Sequence, residues 1–289
     1  MMKNSGSLLT EFETFLNQLL QRFFPVWYAA QAAREMQPEP LGSINPVSFL
    51  SHRWLSLHAV LQGLQQSLQA QGSDWLELQE LLSKLLVEKE YPRRLSITAI
   101  HGVEQSQHEQ DWPNLSVYAE HNCDSINIGG AEDFDTLLHQ TFSTEHKPHR
   151  VVYREWDGRY YWLNPDEPDG LAALQLYAHE HQRDASFSAL INVESLHSRV
   201  LERLCQDWWL LLLKRDSAYL LHDLMSRGNL PVAMGEFEWR RSDLVFLAAR
   251  KNNRSINRIF LNLLNHHSSH EVLDFANFLN RQHFPFRNQ

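Results

Sequence analysis

The chain has 289 residues, 43% of them hydrophobic and 21% charged, with nine Trp, eight Tyr and fifteen Phe; burial on that scale offsets the entropy of ordering and excludes a disordered or linker protein. A formal net charge of −9 excludes wrapping of nucleic acid by the whole surface. Cys123 and Cys205 are the only cysteines, too few for a disulfide framework and without a C-x-x-C zinc pattern, so a reducing, cytoplasmic setting is expected.

Leu8, Leu9, Phe12, Phe15, Leu16, Leu19, Leu20 and Phe23 recur at helical spacing, predicting an opening amphipathic helix ended by Pro25; Glu11 and Glu13 break any secretory leader. A loop with Pro38, Pro40 and Gly42 follows. Asn45 and Pro46 then suit the cap and first turn of a long helix whose seam is Val47, Leu50, Trp54, Leu57, Leu61, Leu64 and Leu68. After Gly72 and Ser73, Trp75, Leu78, Leu82 and Leu85 carry the pattern towards Pro92, so residues 1–92 are expected to be a lobe built on a helical hairpin.

From Arg93 the character changes. Leu95 to Val103 and Leu115 to Glu120 read as strands, and Ala131 to Phe142 as a short helix. Val151 to Trp156 and Arg159 to Leu163 flank Asp157-Gly158, whose tolerance of positive φ predicts a two-residue hairpin. Residues 93–170 are therefore expected to hold a small antiparallel sheet.

Helices are predicted at Leu171 to His181, Val193 to Lys214, Ser217 to Arg227, Ser242 to Lys251, Ser255 to Asn265 and Ser269 to Arg281, with Gly228 as a C-cap. The apolar run Trp208 to Leu213 reads as a buried helix, too short to span a membrane. The fold class expected is α+β and helix-rich, with residues 171–289 forming a helical bundle or stacked hairpins that share a core with the other two regions.

Two local resemblances stand out. Asp169-Gly170-Leu171-Ala172-Ala173-Leu174, after the hairpin, resembles the nucleotide-binding box of the ParB and sulfiredoxin superfamily, but Leu171 and Ala172 stand where that box places basic residues. Leu224-Met225-Ser226-Arg227-Gly228 with Leu247-Ala248-Ala249-Arg250 resembles one ankyrin-repeat junction, implying stacked helices and an interaction surface.

Two candidate sites follow. Trp156, Tyr161, Asn164, Asp166, Asp169 and Gly170 lie around the hairpin and the start of the next helix, where free N–H groups would accept a small anionic or nucleotide-like ligand; the alternative is an aromatic hairpin packed on the core with Asp169 as a cap. From Arg240 onward there are eight Lys/Arg against three Asp/Glu, and Arg250, Arg254 and Arg258 share a stripe if one helix carries all three. Guanidinium groups so placed suit an acidic protein surface or nucleic acid. Cys123 two residues from His121 is expected to be an ordinary loop, and the histidines around His179, His181, His266 and His270 lack metal-ligand spacing. No cofactor, metal or membrane contact is expected. The leading expectation is a cytoplasmic, bacterial-type interaction or regulatory protein, and the alternative is an enzyme or sensor with a pocket between hairpin and helix.

Overall fold

The structure is a computed structural model and describes residues 15–16, 18–41, 57–103, 114–123, 126, 128–142, 149–163, 168–236 and 243–283. In chain order the helices and strands are α1 (Pro25–Glu35), α2 (Leu57–Gln71), α3 (Leu76–Ser83), β1 (Leu86–Ser96), β2 (Ile100–Val103), α4 (Leu115–Asn122), α5 (Ala131–Thr141), β3 (His149–Arg154), β4 (Arg159–Trp162) and α6 (Pro168–Glu180). There follow β5 (Ser186–Leu196), α7 (Ser198–Asp207), β6 (Trp208–Lys214), α8 (Arg215–Arg227), β7 (Ala233–Glu236), β8 (Leu244–Arg250), α9 (Arg254–His266), β9 (Leu273–Asp274) and α10 (Phe275–His283). The protein is mixed α+β with two small sheets. Its chain forms two compact units, one of Met1–Gly42, Val60–Ser83 and Arg199–Asn280, the other of Ser43–Ala59, Lys84–Ser198 and Arg281–Gln289.

The second of these units is built on a sheet ordered β1-β5-β3-β4-β2. It is mixed rather than antiparallel: β1/β5 and β3/β4 are antiparallel, while β3/β5 and β2/β4 run parallel. Strand alternation turns Phe187, Ala189 and Ile191 of β5, Val151 of β3 and Trp162 of β4 towards a core shared with Leu115 and Tyr118 of α4, Phe134 of α5 and Leu171, Ala172 and Leu174 of α6. Gln175 of α6, buried, donates to the carbonyls of Ile97 and Ile100, tying that helix to the short turn between β1 and β2.

The β3/β4 hairpin is present, but Arg154 pairs with Arg159, so its connection has four residues, Glu155 to Gly158. Gly158 has φ +68°, and its N–H donates to the Arg154 carbonyl at 2.8 Å. Leu115 to Glu120, expected as a strand, is helical: Asn114 caps α4 by accepting from the Val117 N–H at 2.9 Å, and a capped N-terminus outweighs the β-branched content.

The other unit carries an antiparallel sheet, ordered β7-β8-β6-β9. On one face Trp209, Leu211 and Leu213 of β6 and Val245, Leu247 and Ala249 of β8 meet Ala29, Ala30 and Ala33 of α1, Leu221 and Leu224 of α8, and Ile256, Ile259, Phe260 and Leu263 of α9. On the other, Trp208 packs against Trp75 at 5.9 Å, Phe246 against Phe275 of α10 at 5.1 Å, and Gly235 against Leu64 and Ser67 of α2.

A strand covered on both faces reads as a continuous apolar run, which corrects several expectations. Trp208 to Leu213 is the strand β6, not a buried helix; the expected helix Val193 to Lys214 divides into the end of β5, α7 and β6; and the expected helix Ser242 to Lys251 is β8. The ankyrin-like Leu247 to Arg250 lies in that strand, so the repeat likeness fails. Helix α3 stops at Ser83 and the chain runs as β1 through Pro92, on a sheet edge where a missing N–H is tolerated. The helical residues 18–23 end before Pro25, as expected, but Pro25 then begins α1. The expected helix Ser269 to Arg281 is shorter, α10 beginning at Phe275 after a turn and β9. The helices predicted at Ala131, Leu171, Ser217 and Ser255 are present as α5, α6, α8 and α9. Asn45, Pro46 and Trp54 lie outside the described residues.

Candidate functional site

Two regions concentrate chemistry, and the first surrounds the hairpin. Because neighbouring strand residues face opposite ways, Arg154 and Tyr161 point away from the core that holds Val151 and Trp162. Arg154 is fully buried; its Nε donates to the Glu194 carboxylate at 3.1 Å, and its guanidinium lies 4.4 Å above the Tyr161 ring. The Tyr161 hydroxyl donates to Asp157 at 2.7 Å, and the other oxygen of that carboxylate accepts from the Arg159 N–H at 2.9 Å. Burial pushes Asp157 up to about 6, against the lowering effects of the Tyr161 hydroxyl, Arg154 and Arg159. Burial also raises Tyr161, helped by the neighbouring Asp157 charge. This is a titratable cluster in which Arg154, Glu194 and Tyr161 are buried and Asp157 is partly buried.

The described members of the sequence-derived ligand set have different partners. Trp156 is buried beside this cluster in sequence, and its Nε1 has no hydrogen-bond partner among the described residues. Asp169 lies in the first turn of α6, where it accepts from the Tyr118 hydroxyl at 2.5 Å while its own carbonyl accepts from Cys123 Sγ at 3.4 Å. Gly170 packs closely on α5: a Cβ there would stand 2.9 Å from Thr141 Oγ1. Its missing side chain serves helix packing. Asn164 and Asp166 lie outside the described residues.

Sequence reasoning missed a pair next to this helix start. His149 and Trp162 stack at 5.3 Å and 23°, both rings meet Phe142, which follows Thr141, and both meet Phe187. Both rings are buried, yet neither nitrogen of His149 nor Trp162 Nε1 has a hydrogen-bond partner among the described residues. The available signal was a histidine at an apolar strand position, in phase with Val151 and Tyr153. His121 Nδ1 donates to the Val117 carbonyl at 2.8 Å, and Cys123 Sγ donates to the Asp169 carbonyl. Among the described residues no group of three or more His, Cys, Asp or Glu is arranged to hold a metal ion.

The second region is the junction of β8 and α9. Asn253 breaks the chain into strand and helix and caps α9, its Oδ1 accepting from the N–H groups of Ser255 and Ile256 at 3.0 and 3.2 Å. One helix therefore does not carry all three arginines. Arg250 is held inside its unit: it bonds to Glu77, which also accepts from Arg203 at 3.1 Å, and it lies 4.6 Å over the Trp208 ring. Lys251 sits 4.1 Å over Trp209 and donates to the Cys205 carbonyl. Arg254 and Arg258 are exposed, one turn apart on α9, and neither has a hydrogen-bond or ion-pair partner among the described residues.

Residues 90–288 match the model of a family described as a family of unknown function, DUF6685. That stretch runs from within β1 through α10. No curated protein and no solved structure matches the chain. Among the described residues no helix is long and apolar enough to cross a membrane.

Proposed function

We infer a function from geometry alone, because the chain belongs to DUF6685, a family of unknown function: it is an interaction or regulatory protein of a reducing compartment that contacts an acidic partner through Arg254 and Arg258 of α9. The observation that carries this reading is their lack of an acid partner among the described residues. In the same unit Arg203 and Arg250 share Glu77, Arg215 pairs with Glu236 and Arg227 with Asp223. In a protein of net charge −9, two guanidinium groups on one helix face with no carboxylate partner among the described residues suit an external acid. Fluorescence anisotropy with labelled polyglutamate and a labelled DNA duplex tests it. An Arg254→Glu/Arg258→Glu variant is expected to bind at least one probe about tenfold more weakly or worse, while Arg34→Glu on α1 leaves binding unchanged. Equal binding by wild type and the double variant contradicts the reading.

The nitrogens of His149 and Trp162, without a hydrogen-bond partner among the described residues, favour a second reading, an enzyme or sensor that takes a small anionic or nucleotide-like molecule between the hairpin and the start of α6. Thermal shift against nucleotides and small anionic metabolites tests it, since a ligand of the folded state raises Tm. A shift abolished by His149→Phe in a folded protein supports this reading, and a shift indifferent to that change opposes it.

A further inference from the structure

We infer that the partner of α9 is an acidic, amphipathic helical segment of another protein rather than a nucleic acid; this deepens the interaction reading above and rests on it. Arg254, Arg258 and Leu261 are spaced by four and three residues and so share one face of the helix. Leu261 is 45% exposed, whereas Ile256, Ile259, Phe260 and Leu263 on the opposite face are fully buried. The exposed face thus reads as two cations followed by an apolar side chain.

Arg254 occupies the first turn of α9, which holds no acidic residue, although the helix dipole disfavours a cation there. Local stability gives no reason for it. The adjacent N–H groups of Ser255 and Ile256 are already satisfied by Asn253, so the helix end is closed and recognition falls to the guanidinium groups. Each can hold a carboxylate in two parallel hydrogen bonds.

Nucleic acid fits this face poorly. Two phosphate contacts give a salt dependence of only about two in logarithmic slope, far below that of proteins held by the backbone. Phe260, the aromatic residue of α9, is buried and offers no ring for base stacking. Leu261 gains nothing from a phosphodiester chain. A helix with two carboxylates one turn apart and a leucine beyond them matches all three positions, in the groove-and-anchor manner of amphipathic helix recognition.

The test uses the full chain and three labelled probes: a helix-forming peptide with Glu, Glu and Leu at that spacing, the same peptide with Leu replaced by Ser, and a DNA duplex. The peptide is expected to bind, about tenfold more weakly to Arg254→Glu/Arg258→Glu and about tenfold more weakly to Leu261→Ser. The Ser peptide should show the leucine loss already and lose no more on Leu261→Ser, the signature of one shared contact. Circular dichroism checks that both variants remain folded. Arginine-dependent binding that ignores Leu261, or a duplex bound more tightly than the peptide, overturns this inference and leaves the broader reading standing. Absence of any arginine-dependent binding overturns both.

Discussion

At Asp157 burial outweighs the favourable contacts: with a hydroxyl, a backbone N–H and a guanidinium beside it, the carboxyl is still pushed up to about 6 from 3.8. The folded state therefore holds this proton more tightly than the unfolded chain. Its stabilising contribution is complete below pH 3.8 and is lost as pH rises through about 6, a change on the order of 3 kcal/mol. Urea midpoints of Asp157→Asn should lack that decline, so the variant gains on wild type between pH 4 and pH 7; parallel curves would remove Asp157 from the buried cluster. Arg154 and Glu194 make a second test. Glu194→Ala removes the carboxylate bonded to the buried Arg154 guanidinium and should cost about 3 to 5 kcal/mol, whereas Arg154→Met/Glu194→Leu should cost much less; equal losses in the single and double variants would contradict this. Trp156 and Tyr161 were legible as a buried aromatic unit because aromatic strands flank a turn. Their partner Glu194 lies 40 residues from Arg154, on a strand that pairs only after folding, and local pattern carries no trace of such a contact.

Among the elements, β6 and β8 were the least legible. Six apolar residues in succession fit a buried helix and a doubly covered strand equally, and only the helices on both faces decide between them. By contrast α5, α6, α8 and α9 carry their own periodicity, and α9 its own cap in Asn253, so their positions could be read directly. Two predictions belong here. Gly235 lets β7 approach α2 so closely that a Cβ would fall 2.7 Å from Leu64 Cδ1 and 3.3 Å from Ser67 Cβ. Gly235→Ala should thus cost about 1 to 3 kcal/mol through overpacking, and an unchanged denaturation midpoint would contradict that approach. Strand β1 is an 11-residue sheet edge whose exposed centre carries Glu88, Lys89, Glu90, Pro92, Arg93 and Arg94. Charge and proline keep such an edge from pairing with another chain. Lys89→Val/Pro92→Val should raise the sedimentation coefficient with concentration; a variant that stays at the wild-type value would show that the edge is blocked by other means.

At the scale of the whole molecule, charge is segregated along the chain, and folding pairs Arg250 of the basic segment with Glu77. The excess of Lys/Arg after Arg240 was legible by counting. Which arginines stay available was not, because Arg250 finds Glu77 across 173 residues of sequence, and because Asn253 ends the stripe by capping a new helix. The central claim is that Arg254 and Arg258 remain free for an acidic partner while Arg250 does not. Arginine Nε–Hε resonances measured by NMR during titration with polyglutamate test it most directly. The account predicts that the signals of Arg254 and Arg258 shift together with added polymer while those of Arg154 and Arg250 stay fixed; movement of Arg250 with Arg254 and Arg258 unchanged would contradict it.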